Sequence, residues 1–437
     1  VKFIVKRADN IGHSYLDYDQ PIKGTILNRW LMATITNEQT FIRVTRRDTC
    51  RVSGSRLLPI LNLGDIYLSD FLQSDEIPVT TYPLELMYSP ASRLVQLRHT
   101  VNPDLMFRRY WYRSGTNEAM RAHLVGMVAD IQERVELYTD DVVVDIGAND
   151  WTLLNAYPST VMKWGFDPSD VYPERAMGNV VNDYFQADLY SGQPAKVVTA
   201  IAMFYDLDDP IAFCKDVESI LADDGLFVIE MHYLPAMLAN NGFDAICHEH
   251  LTYWSLQALE YTLTRANMFV QDVELNDVNG GSFRAYCRKL SFKGACTDKV
   301  AQLRSTERDT ITFEDFGENI RRNREQMRLF LRANKINGKL VLGYGASTKG
   351  NTMLQYYGID SDLLPAIADR NPDKWGLRTA GTNIPIISED EARAMQPDYF
   401  LALPYHFIDA FIERESAFIA RGGKFIVPTP KLRIVPE

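Results

Sequence analysis

Two hydrophobic periods alternate along this chain. Residues 117–136 carry Met120, Leu124, Met127, Val128 and Ile131 at helical spacing, which predicts a helix. The next run, DVVVDI at 141–146, is continuously apolar between its acids and stops at Gly147, as a strand buried on both faces of a parallel sheet would. Similar runs at 163–166, 196–203 and 226–231, with helix-length segments between some of them, predict an open α/β sheet. Runs at 273–276 and 282–288 flank Asn279-Gly280-Gly281 and predict an antiparallel pair at its edge.

On either side the pattern changes. Residues 57–88 alternate apolar clusters with turn punctuation and predict a small β-rich or irregular lobe, while 1–47 offer only short β-prone runs at 3–5 and 41–44. The charged segment 298–334 places Phe313, Phe316, Ile320, Met327 and Leu331 on one stripe, an amphipathic helical connector. A second strand, glycine loop and helix unit opens at Lys339 (KLVLGYG), and runs at 364–368, 399–403 and 424–427 complete a second α/β domain.

Composition narrows the function classes. A chain of 437 residues with 46% hydrophobic and 24% charged residues has material for about three folded units. The net charge of −11 disfavours a broad phosphate-binding face, and hence a nucleic-acid partner. The N-terminal apolar run is too short for a signal peptide, and no stretch has the roughly 18 apolar residues of a membrane helix, so a cytoplasmic location is expected. Five scattered cysteines without a CxxC pair argue against a disulfide framework or a thiolate metal cage.

Four stretches carry candidate chemistry. Gly147 after the first strand lets a ligand approach the backbone, and Asp167 after the second is placed to accept ribose hydroxyls; the nucleoside belongs to a dinucleotide or to S-adenosylmethionine. The run DAICHEHLTYW at 244–254 sets Glu249 between His248 and His250. A shared metal is disfavoured for want of a further ligand, and a base tuned by its glutamate competes with hydrogen-bonded structural histidines. GYGASTKGN at 343–351 offers amides, hydroxyls and Lys349 to a diphosphate, although a packed strand-to-helix turn explains it equally. YWYRSG at 110–115 suits a sugar or base ring, or forms a core aromatic cluster.

Together these stretches resemble the three-part S-adenosylmethionine-dependent methyltransferases that include the nucleotide-sugar C-methyltransferases. The resemblance is carried in order by YWYRSGTN (110–117), VDIGANDWTLL (144–154), GFDPS (165–169), DAICHEHLTYWS (244–255), NGGSFR (279–284), GYGASTKGN (343–351) and GGKFIVP (422–428). It implies an α/β fold: a central class I methyltransferase Rossmann-like sheet, an N-terminal small lobe and a second, C-terminal Rossmann-like domain. The expected divisions are an extension of unassigned role (1–47), the lobe (48–116), the methyltransferase domain (117–297), and the connector with the C-terminal domain (298–437).

For the site, the resemblance implies cofactor contacts from Asp145, Gly147, Asn149, Asp167, Met203 and Phe204. It implies His250 as base, with Glu249 and Tyr112 orienting it and bonding an enolate, and assigns Tyr110, Gly281, Arg284 and Lys349 to the substrate, Lys349 as a clamp for the nucleotide part. The substrate is then a nucleotide-linked keto-sugar, with neither nucleic acid nor membrane as partner; the oligomeric state is open.

Three positions depart from the family. Its lobe binds zinc through two CxxC pairs, whereas here the four positions are Cys50, Ser53, Ser89 and Ser92, so zinc is not expected. Trp151 replaces a glycine beside the cofactor loop and would crowd it unless turned outward, which keeps a non-catalytic scaffold as the alternative function. Cys247 stands where some relatives carry a second active-site tyrosine. A nicotinamide oxidoreductase is a third reading, disfavoured by the sparse glycine loop.

Overall fold

The computed structural model describes the strands Ile4–Lys6 and Tyr15–Tyr18 and residues 44–436 apart from 79, 172–175, 177 and 311. The two short strands pair antiparallel within a unit of their own, so the β-prone run at 3–5 overlaps a strand, whereas most of the run at 41–44 lies outside the described residues. The second unit begins at Arg46.

That unit is built around a seven-stranded sheet of β1 (Val142–Ile146), β2 (Met162–Phe166), β3 (Asn179–Val181), β4 (Ala195–Ile201), β5 (Leu221–His232), β6 (Met268–Asn276) and β7 (Ser282–Lys289), in the order β3-β2-β1-β4-β5-β7-β6. The first five run parallel; β7 enters antiparallel beside β5 and pairs with β6 at the edge. Strand β1 is central because every residue in it is buried. Its alternation divides the core: Val142, Val144 and Ile146 join one apolar layer, while Val143 joins the layer under α1 (Glu118–Arg134), with Leu124, Met127, Val128 and Ile131. Asn117 caps α1 by accepting the Ala119 N–H.

The small lobe is an antiparallel sheet of Leu58–Ile66, Tyr82–Tyr88 and Val95–Leu97, and its fourth strand is Thr252–Tyr253, which belongs in sequence to the stretch between β5 and β6. This borrowed strand fixes the preceding His248-Glu249-His250 run against the lobe.

The connector is two helices, Asp298–Thr310 and α2 (Phe316–Ile336), rather than one. Phe316, Ile320, Met327 and Leu331 form the expected buried stripe, but Phe313 lies in the link and packs on Tyr88 with ring centroids 5.0 Å apart. Beyond it, β8 (Val341–Tyr344), β9 (Ile367–Asp369), β10 (Ile386–Ser388), β11 (Tyr399–Ala402), β12 (Lys424–Val427) and β13 (Arg433–Val435) form a second sheet in the order β10-β9-β8-β11-β12-β13. Helix α3 (Thr348–Tyr357) follows β8 and is capped by Ser347. Among the described residues, no helix is long and apolar enough to cross a membrane.

Candidate active site

The turn after β1 opens on Gly147 at φ +77°, a backbone conformation suited to glycine, and a Cβ placed there would meet Met203 Cγ at 3.1 Å. Met203 therefore faces the turn after β1. Asp167 follows β2, and its carboxylate accepts the Asn149 N–H at Oδ2 (2.7 Å) and the Ser169 N–H and hydroxyl at Oδ1 (2.9 and 2.5 Å), leaving a position on Oδ2 open to a further donor. Asp145 is buried, accepts the Thr199 hydroxyl at 2.6 Å and is pushed up to about 7 by burial.

Two expected cofactor contacts are corrected. The Asn149 side chain is occupied by the preceding loop: its Oδ1 accepts Ser114 N–H at 3.0 Å and its Nδ2 donates to the Tyr112 carbonyl at 2.9 Å. Asp150 adds a bond from Gly115 N–H at 2.7 Å, so the two residues staple the aromatic segment to the β1 turn. Phe204 is fully buried, with ring centroids 5.0 Å from Trp254 and 5.8 Å from Phe213, and belongs to the core. Trp151, at φ +68°, points into the layer beneath α1, where its Nε1 would lie 2.9 Å from a Cβ on Gly165, so its indole does not crowd the cofactor turn. The residues around the turn thus fit S-adenosylmethionine: an open glycine turn, an acid closing β2, and Met203 opposite.

The second cluster lies beyond the carboxyl ends of β4 and β5. Atoms of Cys247, Glu249 and His250 that can bind a proton or a cation lie within 4.8 Å of one another, all buried. His250 Nδ1 lies 2.8 Å from the Ala245 carbonyl, which only accepts, so Nδ1 carries the proton and Nε2 the lone pair. Burial, and then the Lys349 charge, push this imidazole down to about 3, so it rests neutral. Burial pushes Glu249 up to about 7 and the Cys247 thiol well above its usual range. An acid poised near 7 beside a protonated thiol gives this cluster the character of a proton-handling site more than of a cation cage.

Three neighbours were not legible as site residues. Tyr205 packs on His250 with ring centroids 4.2 Å apart and stacks on His232 at 5.5 Å, and His232 is 5.6 Å from His250. Asp206 Oδ1 is buried without a hydrogen-bond partner. All three stand at or just past strand ends in the parallel sheet, where open α/β sheets bind ligands; that rule could have found them.

The substrate assignments divide. Tyr110 comes close enough for the charges of Glu249, Asp206 and Cys247 to act on its phenol. Tyr112 is 44% exposed on the loop stapled to the cofactor turn, with Asp150 the acid acting on its phenol. Gly281, at φ +118°, accepts Tyr233 N–H at 3.1 Å and faces Ala236, a packing role. Arg284 is not available to a ligand: its guanidinium pairs with Glu230 (2.8 Å) and Asp130 (2.7 Å), tying α1 to the sheet. Lys349 reaches out of α3 to His232, with Nζ 2.8 Å from Nε2, and so joins the base cluster instead of standing on the glycine loop as a phosphate clamp. Ala346 N–H of that loop is taken by Asp369 at 2.7 Å. His248 donates to or accepts from nothing in this cluster; its Nε2 bonds the Tyr82 carbonyl at 3.1 Å.

In the lobe, the four positions of the family's zinc site do converge. Cys50 Sγ lies 3.2 Å from Ser92 Oγ, Ser92 Oγ is 2.9 Å from Ser89 Oγ, and Ser89 Oγ is 3.1 Å from Ser53 Oγ. One thiol and three hydroxyls in a hydrogen-bonded chain are a poor zinc donor set.

A β3-β2-β1-β4-β5-β7-β6 sheet with a glycine turn after β1 defines a class I S-adenosylmethionine-dependent methyltransferase. Family models agree: "Putative zinc binding domain" matches 50–107, "Methyltransferase domain" 120–272 and "C-methyltransferase C-terminal domain" 277–430. The chain is 31% identical over 410 residues to the C-methyltransferase NovU of Streptomyces niveus, covering 89% of this chain and 97% of that protein. It belongs to this C-methyltransferase family. Solved structures similar to it include an S-adenosylmethionine-dependent methyltransferase from Clostridium acetobutylicum (11% identity, 39% of this chain and 92% of that one, TM-score 0.31). Another is the plantazolicin methyltransferase BpumL in complex with SAH (13% identity, 39% and 83%, TM-score 0.30).

Proposed function

We propose that this C-methyltransferase acts on a carbon next to the ketone of a nucleotide-linked keto-sugar, with His250 Nε2 as the base. The observation that carries the reading is the bond from His250 Nδ1–H to the Ala245 carbonyl, which leaves Nε2 as the proton acceptor in a buried site. A carbon acid needs a base, and because burial and Lys349 hold His250 at about 3 at rest, its basicity has to rise as the Glu249 carboxylate and the developing enolate charge offset them. Glu249 is near enough to pair with the imidazolium that forms. Gly147, Asp167 and Met203 hold the cofactor, while Asn149 and Asp150 position the loop that carries Tyr110 and Tyr112 beside it. S-adenosylmethionine, when bound, supplies the electrophilic methyl group.

A metal-free lobe and a cytoplasmic location belong to the same reading, supported by the hydroxyl chain at Ser53, Ser89 and Ser92 and by five free cysteines. The scaffold alternative rested on Trp151 and has lost that support, because the indole is in the core.

Calorimetric titration with S-adenosylmethionine, followed by turnover of His250→Gln, tests the proposal. Cofactor affinity near wild type with turnover abolished is the expected result. Unchanged turnover removes His250 from the base role, and absence of cofactor binding by the wild type returns the scaffold reading.

A further inference from the structure

The base cluster holds neutral donors, among them the Tyr110 phenol, but a carbon acid gains most from a fixed positive charge. Drawing a proton from the carbon beside a ketone puts negative charge on the carbonyl oxygen, and a group must meet that charge. Tyr112, the residue the family pattern offers, has its phenol bonded with Ser114 and under the charge of Asp150 instead, on the loop that Asn149 ties to the cofactor turn through the Tyr112 carbonyl.

Lys349 fills the gap. It sits in the first turn of α3, in the C-terminal domain, yet its ammonium crosses to the end of β5 and lies 2.8 Å from His232 Nε2. An ammonium has only donors, so His232 accepts here and carries its own proton on Nδ1. The His232 ring is held by stacking on Tyr205, at 5.5 Å and 15°, and lies 5.6 Å from the ring of His250. Lys349 forms no ion pair among the described residues; burial lowers its pKa, while the charge of Asp244, whose Oδ1 accepts the Tyr405 hydroxyl at 3.2 Å, works to keep it an ammonium. A partly buried ammonium with one hydrogen bond and no salt bridge is costly unless an anionic or carbonyl oxygen completes it.

We propose that Lys349 is the catalytic residue that stabilises the enolate oxygen, and that His232 is the positioning residue that aims it. The inference rests on the carbon-acid reading above. In the step, the C–H bond beside the ketone breaks and its proton passes to His250 Nε2. The C–H electron pair becomes the new C=C bond, and the carbonyl π pair moves onto oxygen, where a Lys349 N–H meets it while the ammonium keeps its protons. Resting repulsion from Lys349 helps to keep His250 neutral. Negative charge arriving on the oxygen beside Lys349 offsets that repulsion as the imidazole takes up its proton, so the two events assist each other. The C-terminal domain thereby completes the reacting end of the site.

The test is solvent exchange by the full chain, using a nucleoside-diphosphate keto-sugar with S-adenosylhomocysteine in D2O and following deuterium at the carbon beside the ketone. The wild type exchanges. Lys349→Ala and Lys349→Gln lower the exchange rate by about 10²–10³, the usual loss for an oxyanion donor, with little change in KM. Added ethylammonium restores part of the Lys349→Ala rate, and Lys349→Arg retains part of it. His232→Gln, which cannot aim the ammonium in the same way, lies between. Thermal melting confirms that each variant is folded; Lys349→Gln provides a second chargeless side chain should the alanine variant melt early. Exchange unchanged in both chargeless variants, or a loss confined to KM as a diphosphate clamp would give, overturns the inference and leaves the carbon-acid reading standing. A wild type that neither binds nor exchanges the sugar overturns that reading and this inference with it.

Discussion

His250 Nδ1 donates to the carbonyl of Ala245, five residues earlier, and that single bond settles which nitrogen of the buried imidazole is free. The pH dependence follows from its surroundings. Burial and Lys349 hold His250 at about 3, so it stays unprotonated across the working range, whereas burial holds Glu249 at about 7. Glu249 is neutral below that value and a carboxylate above it, and only the carboxylate can pair with the imidazolium. Turnover should therefore rise with pH through about 7 and level off, and Glu249→Gln should be slower with that limb removed. A wild-type profile flat from pH 6 to 8 would contradict the assignment.

Asp145 gives a stability signature. Burial raises its folded value to about 7 from the ordinary 3.8, so between these values the native state holds a proton that the unfolded chain has lost. The associated stability is fully present below about 4 and is lost as pH rises through about 7. Asp145→Asn, which keeps the Thr199 partner, should flatten the fall in denaturation midpoint over that window; an unaltered slope would show that Asp145 is not its source.

The lobe makes a prediction about metal. Cys50, Ser53, Ser89 and Ser92 already stand at hydrogen-bond distances from one another. Elemental analysis of the purified chain should find no stoichiometric zinc, while Ser53→Cys, Ser89→Cys and Ser92→Cys introduced together should gain one tightly held ion. Zinc at one equivalent in the wild type rules out the metal-free lobe.

Trp151 separates fold from cofactor. Its indole is 1% exposed beneath α1, so Trp151→Ala should lower stability by about 3–5 kcal/mol for the lost packing. S-adenosylmethionine affinity should stay near the wild-type value, because the side chain points away from the Gly147 turn. A large gain in affinity would mean that the indole does occupy the cofactor space.

How much of this was written in the sequence depended on whether a feature is local. Strand β1 and helix α1 were readable because burial leaves a period in the chain, and the Gly147 turn because its backbone conformation demands a particular residue. The HEH run offered a base by composition, yet the partners that distinguish its histidines, the Tyr82 carbonyl for His248 and the Ala245 carbonyl for His250, are not written in the run's pattern. Lys349 beside His232, 117 positions apart, depends on how two sheets meet, and no local pattern encodes that. Arg284 and Phe204 were misassigned for the converse reason: a family motif marks positions without saying whether packing or ligand holds them there.

The most direct test of the central claim is the position of the transferred methyl group. The purified chain is incubated with S-adenosylmethionine carrying a carbon-13 methyl and a nucleoside-diphosphate keto-sugar, and the product is read by NMR. The account predicts a one-bond carbon–carbon coupling between the labelled methyl and the carbon beside the ketone. A label bound to oxygen, or none on the sugar while the wild type binds both ligands, would contradict it.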